Sequence, residues 1–269
     1  MTTLDITERR PARARLLDLG LMRFEFLRVL RNKQSIAFTL VFPIAMFLFI
    51  SSSIPEKSQK LGADMTANVS ASVMVNMALY GAIMAATSAG AAVAVERDLG
   101  WSRQLRLTPL RPVSYIVAKM LAALVMSTIA TGVTFATGAI SGMAKADPMS
   151  WALSGAVVVA GSLVFAAFGL LIGYLLPGDS AMQYLGGLLA LMSMLGGIFF
   201  QIDEGTTFDR IASFTPMYGF GKAAQWPLSL DHAGGFSAFH ASWAISLVVW
   251  ACVFVFGAAW CFRRDTQRV

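Results

Sequence analysis

Residues able to do chemistry are scarce in this sequence, and their positions narrow what it can do. The two histidines, His232 and His240, stand eight residues apart, with Asp231 beside the first. Zinc accepts such donors, but two histidines at that spacing are a weak signal, and a solvated loop accounts for them. Both lie outside the apolar runs, which disfavours an intramembrane Ser-His hydrolase, since that chemistry needs its histidine at depth. Cys252 and Cys261 are nine residues apart in one apolar run. On a helix about 13 Å would separate them, too far for a disulfide. The segment GFGKAA, residues 219–224, is only superficially like a phosphate-binding loop: Pro216 stands where the first glycine belongs, and Ala223 where Ser or Thr belongs. The chain is therefore expected to have no catalytic site and to bind no metal, cofactor or nucleotide of its own.

What remains is charge, and its densest internal cluster is VERDLGWSRQLRLTPLRPVSY, residues 95–115. The elements around it explain its position. Of the 269 residues 57% are hydrophobic and 13% charged, with a mean hydropathy of +0.65. A soluble domain carries about 25% charged residues, so this composition indicates a polytopic membrane protein. Six apolar runs approach or exceed the roughly 20 residues needed to cross a bilayer: about 36–54, 69–95, 113–140, 151–176, 181–202 and 241–262. The expected architecture is all-α, with residues 1–33 as an N-terminal segment and 34–269 as one six-helix membrane domain.

With both termini inside, sixteen of the 21 Lys and Arg residues fall on the inner side, as topology requires. The +6 net charge is read as that topology signal, with no implication of nucleic-acid binding. The middle of each span lacks ionisable groups. Lys119, about two turns into span three, is the nearest exception and is expected to snorkel back to the inner surface. Residues 13–33 place Leu17, Leu21, Phe24 and Leu27 on one face, with most of their arginines elsewhere, as in a basic amphipathic helix on the inner interface. Ala82, Ala86, Gly90 and Ala94, spaced four apart, permit close helix contact, although the neighbour is not legible. The segment 203–240 is too long and apolar for a plain loop. It is expected to form a structured, partly re-entrant or surface-lying outer element. Phe38, Phe42, Asn76, Thr87, Met192 and Phe199 are candidates for lining a path for lipophilic cargo.

A loop that only reversed the chain would need few residues. This one has Glu96, Arg97 and Asp98 at the end of span two, Gly100 to break the helix and Trp101 for the interface. A short amphipathic helix follows in SRQLRLT, and Pro109 and Pro112 lead into span three. A shaped, mixed-charge protrusion of this kind suits docking to another protein.

The order ERDLGWSRQLRLTPLRPVSYIVAKML, residues 96–121, resembles the signature region of the ABC type-2 exporter permeases, E-R-E-x-G-T-x-x-x-L-x-x-T-P-L-x-P with a lysine entering the next span. Glu96, Arg97, Asp98, Gly100, Leu105, Thr108, Pro109, Leu110, Pro112 and Lys119 match it, and Trp101 departs where Thr is common. The resemblance implies a permease paired with a second copy or a homologous permease, with its loop between spans two and three gripped by a separate ATP-binding subunit. The implied coupling interface is Glu96, Arg97, Asp98, Gly100, Trp101, Arg103, Gln104, Leu105, Arg106, Thr108 and Pro109. Glu96 and Asp98 are expected to pair with basic groups. ATP and Mg would be bound by the partner, and the implied setting is a bacterial inner membrane. A hydrophobic or amphipathic drug, antibiotic or lipid is the expected cargo. A secondary transporter and a non-transporting scaffold are the readings from other classes.

Overall fold

A computed structural model describes residues 33–55, 61–100 without 63, and 112–267 without 201, 203 and 204, plus positions 20, 23, 27, 28 and 31. The described residues are helical, with no strand among them. Helix α1 (Lys33–Ile36) runs through a π-helical turn (Ala37–Val41) into α2 (Phe42–Ser53). Then come α3 (Val69–Asp98), α4 (Pro112–Ser141), α5 (Pro148–Leu175) and α6 (Gly178–Leu195). Two short helices, α7 (Thr207–Ala212) and α8 (Pro216–Gln225), and a 3₁₀ turn (Trp226–Ser229) precede α9 (Ala241–Gln267).

Helices α3, α4, α5 and α9 are long and apolar enough to cross a membrane. The 30 residues of α3 span about 45 Å, more than the bilayer core. The runs expected at 36–54 and 181–202 form shorter apolar helical stretches, Ala37–Ser53 and Gln183–Leu195, and α6 stops at Gly196, whose N–H bonds Met192 O at 2.8 Å.

Helix α3 is the axis of the bundle. It buries 22 of its 30 residues, as a helix apolar on all sides must. Helices α2, α4, α5 and α6 pack around it, and α9 packs on the outside of α5. Peripheral α9 leaves Val248, Val249, Val255, Phe256 and Trp260 exposed, the surface a lipid-facing helix presents. The four-residue spacing of small side chains on α3 finds its partner within the chain, since Gly90 lies against Ala166, Gly169 and Leu170 of α5.

Caps set the ends. Asn68 accepts the Ala71 N–H at 2.9 Å to start α3, and its amide donates to Met143 O at 2.7 Å, tying that end to the α4–α5 hairpin. Asp147 accepts the Met149 N–H at 2.8 Å, with Pro148 in the first turn of α5.

The segment after α6 is structured, as expected. Eight of the ten residues of α8 are buried, and it packs against α3, α5, α6 and α9. Phe220 stacks on Phe165, midway along α5, with centroids 5.7 Å apart. Thr206 caps α7 and Thr215 caps α8. Between them, Tyr218 Oη donates to Asp209 at 2.6 Å. That bond, then the Gly205 N–H, holds the Asp209 carboxyl below the usual carboxylate range. A depressed folded-state pKa contributes stability above the ordinary value that is lost as pH falls through the depressed one. Proteolysis at Arg210 should therefore rise on acidification below pH ~4, and Tyr218→Phe should raise proteolysis already at neutral pH and flatten its acid dependence. An unchanged acid profile in Tyr218→Phe would remove this bond from the account.

Candidate functional site

The last turn of α3 is where the described polar groups converge. Glu96 is buried, 6% exposed, and so is Lys119, 1% exposed, whose Nζ lies 2.6 Å from a Glu96 oxygen. Tyr115 donates its hydroxyl to the same carboxylate, and Arg28 pairs with it from the N-terminal segment. The snorkelling expected of Lys119 is thus overturned. Helices α3 and α4 are antiparallel across the loop, so Glu96 and Lys119, each within two turns of its helix end, come level. A carboxylate at hydrogen-bonding distance holds the ammonium inside, where a lone lysine would have reached for water.

The next two residues face the elbow between α5 and α6. Arg97 donates to Gly173 O at 3.2 Å and Tyr174 O at 3.0 Å, and its guanidinium lies 5.6 Å from the Tyr174 ring centroid. Asp98 was expected to pair with a base, but it accepts the Gly178 N–H at 2.6 Å. Pro177, the N-cap residue of α6, supplies no side-chain cap, so Asp98 caps α6 from another helix. At Gly178 a Cβ would meet the Asp98 carboxylate at 2.6 Å and Val95 Cα at 3.0 Å, so the approach requires glycine. The chain then leaves α3 at Gly100 with φ +71°, a left-handed value that glycine adopts without strain.

Trp101, Arg103, Gln104, Leu105, Arg106, Thr108 and Pro109, with the short helix expected there, lie outside the described residues, as does most of the amphipathic segment 13–33.

Of the cargo-path candidates, Phe38, Phe42 and Phe199 meet around Tyr80, a residue sequence reasoning missed. Phe42 and Phe199 each lie 5.4 Å from the Tyr80 ring, and Phe38 is 6.4 Å from Phe42. Met192 packs on the same core. Asn76, one turn away on α3, accepts from Gln225 at 2.5 Å, and Ser72 donates to Gln225 at 3.2 Å, so the end of α8 is pinned to α3. Thr87 stands apart from this group, fully buried at the α3–α5 contact, where its backbone lies against Gly169. Both histidines are exposed, and no cluster of three or more metal-ligating side chains occurs among the described residues.

Tyr115, Gly178 and Gln225 were also missed. A single carboxylate ending one apolar run and a single lysine two turns into the next were a legible signal for the first, and Pro-Gly at 177–178 for the second.

The family model for the ABC-2 type transporter matches residues 19–228. Among curated proteins, "Putative transport permease YvfS" of Bacillus subtilis (strain 168) is 30% identical over 209 residues, which is 76% of this chain and 82% of that protein.

Proposed function

The chain belongs to the ABC-2 type transporter family, and we propose that it is the permease subunit of an ATP-driven exporter of hydrophobic or amphipathic substrates. A separate ATP-binding subunit docks on loop 96–112 and binds the ATP and Mg. The permease pairs with a second copy or a homologous permease in a bacterial inner membrane. It crosses six times with both termini inside, and α8 re-enters from the outer side. One observation carries this reading. The loop that matches the family's signature is rooted in the turn of α3 that bonds the N-terminal segment, α4, α5 and α6 together. A push on the loop would reach each of those elements. The cluster around Tyr80 supports an apolar cargo, since its rings come from α2, α3 and the segment after α6, elements that need not move together.

Glu96 supports the docking loop from inside, while Arg103 and Arg106 make the contact with acidic groups on the ATPase. A tag after Val269, with gentle solubilisation of native membranes, should bring down an ATP-binding subunit in near-equal amount. Recovery of this chain alone, even after crosslinking, would sink the reading and move a secondary transporter or scaffold ahead. Exposed ion pairs contribute about 0–1 kcal/mol each. Arg103→Glu or Arg106→Glu alone should therefore change recovery little, while the double reversal lowers it several-fold. Full recovery with the double variant would take these arginines out of the interface.

A further inference from the structure

Two consecutive side chains at the end of α3 serve the two sides of one elbow. Arg97 places its cation on the last carbonyls of α5, at Gly173 and Tyr174. Asp98 places its anion on the first N–H of α6, at Gly178. Each charge sits at the helix end whose dipole attracts it, cation at the C-terminus and anion at the N-terminus. Helix α6 has no side-chain cap from its own N-cap residue, so its start is bonded to α3. Two residues beyond Asp98, Gly100 has none of the described residues within 4 Å of where its Cβ would be, in contrast to the crowding at Gly178.

We propose that Arg97 and Asp98 are positioning residues that form a transmission clamp. They carry displacement of the loop following Gly100 directly into the α5–α6 elbow, so that α6 moves with α3. Leu195, the end of α6, stands seventeen positions after Gly178, and Phe199 of the aromatic cluster follows four positions later. A rigid α6 would therefore deliver the movement to the ring that meets Phe42 and Tyr80. The proposal rests on the exporter reading for the source of the push, but the clamp itself can be tested without it.

The first arm uses the permease alone in nanodiscs and follows hydrogen exchange across 176–184. Losing a hydrogen bond to a charged acceptor should raise exchange at Gly178 about tenfold or more in Asp98→Ala. Asp98→Asn, whose amide oxygen still accepts, should stay near wild type. Gly178→Ala should match Asp98→Ala, because its methyl displaces the carboxylate. Equal protection in wild type and Asp98→Ala overturns the clamp.

The second arm uses the permease–ATPase complex, with Cys252→Ser, Cys261→Ala and a nitroxide at Leu191→Cys on the exposed face of α6. ATP with vanadate should change label mobility in wild type and Asp98→Asn, and that change should fall to less than a third in Asp98→Ala. If the ATPase binds and hydrolyses ATP while the change persists in Asp98→Ala, or is missing in wild type, transmission through the clamp is overturned. If no ATPase binds the wild-type chain, the exporter reading fails and the transmission role falls with it, whatever the exchange arm returns.

Discussion

Glu96→Ala is expected to be the most damaging single change at the charged end of the bundle, and Glu96→Leu combined with Lys119→Met is expected to reverse most of the damage. The single change leaves Lys119 at 1% exposure, 2.6 Å from where its carboxylate partner had been, and strips Tyr115 of its acceptor. Breaking a buried pair from one side costs about 3–5 kcal/mol, because the remaining ion stays desolvated after its carboxylate is gone. Exchanging both members for apolar groups of similar volume is often neutral or stabilising by about 1–4 kcal/mol. Arg28 then loses a partner, but its side chain is 30% exposed and can turn its guanidinium to water. The measurement is the midpoint temperature of detergent-solubilised protein, followed by fluorescence-detected size exclusion. The order should be wild type highest, the double variant below it by the cost of the orphaned Tyr115 hydroxyl, about 1–3 kcal/mol, and Glu96→Ala lowest. A Glu96→Ala midpoint equal to wild type would mean that the pair does not hold this end together. The double variant also separates stability from coupling. If it is stable yet delivers no ATP-driven transport, the charges matter for movement.

The elements legible in the sequence are those with one dominant cause. Helices α3, α4, α5 and α9 follow from apolar length alone, and their limits fall within a few residues of the runs read from it. The segment before α9 was legible as structured because an apolar stretch of that length cannot stay solvated. Its packing against α5 was not, because the stacking of Phe220 on Phe165 joins residues 55 positions apart. The π-helical turn at Ala37–Val41 and the early end of α6 at Leu195 have no single-residue cause that a span count registers. Lys119 was misread for a related reason. Snorkelling weighs a side chain's reach against its depth on its own helix, and the outcome was decided by a carboxylate on the neighbouring one. Glu96, Arg97 and Asp98 were marked from the sequence as a functional group. That each serves a different element is a property of the packing, visible only once α5 and α6 are placed beside α3.

Gly169→Ala is expected to force α3 and α5 apart and to destabilise the bundle by about 1–3 kcal/mol or more, the usual range for an overfilled core. An alanine Cβ there would lie 2.2 Å from Thr87 O and 2.9 Å from Thr87 C, and both are backbone atoms with no rotamer to give way. Gly90 poses the same problem from the other side, 2.3 Å from Ala166 O and 2.8 Å from Leu170 N. Without a hydrophobic drive between helices inside lipid, close van der Waals approach at small residues supplies much of the association, so separation removes attraction along the whole contact. Both glycines serve one contact, so once either alanine has parted the helices the second should add little, and the double loss should fall short of the sum. Gly132→Ala is the control. It lies within α4, nothing comes within 4 Å of the added Cβ, and helix propensity favours alanine by about 0.5–1 kcal/mol. Midpoint temperatures should therefore move in opposite directions at Gly169 and Gly132. If Gly169→Ala is instead as harmless as Gly132→Ala, the α3–α5 contact is looser than described, and α3 lacks the rigid packing on α5 that the proposed clamp requires.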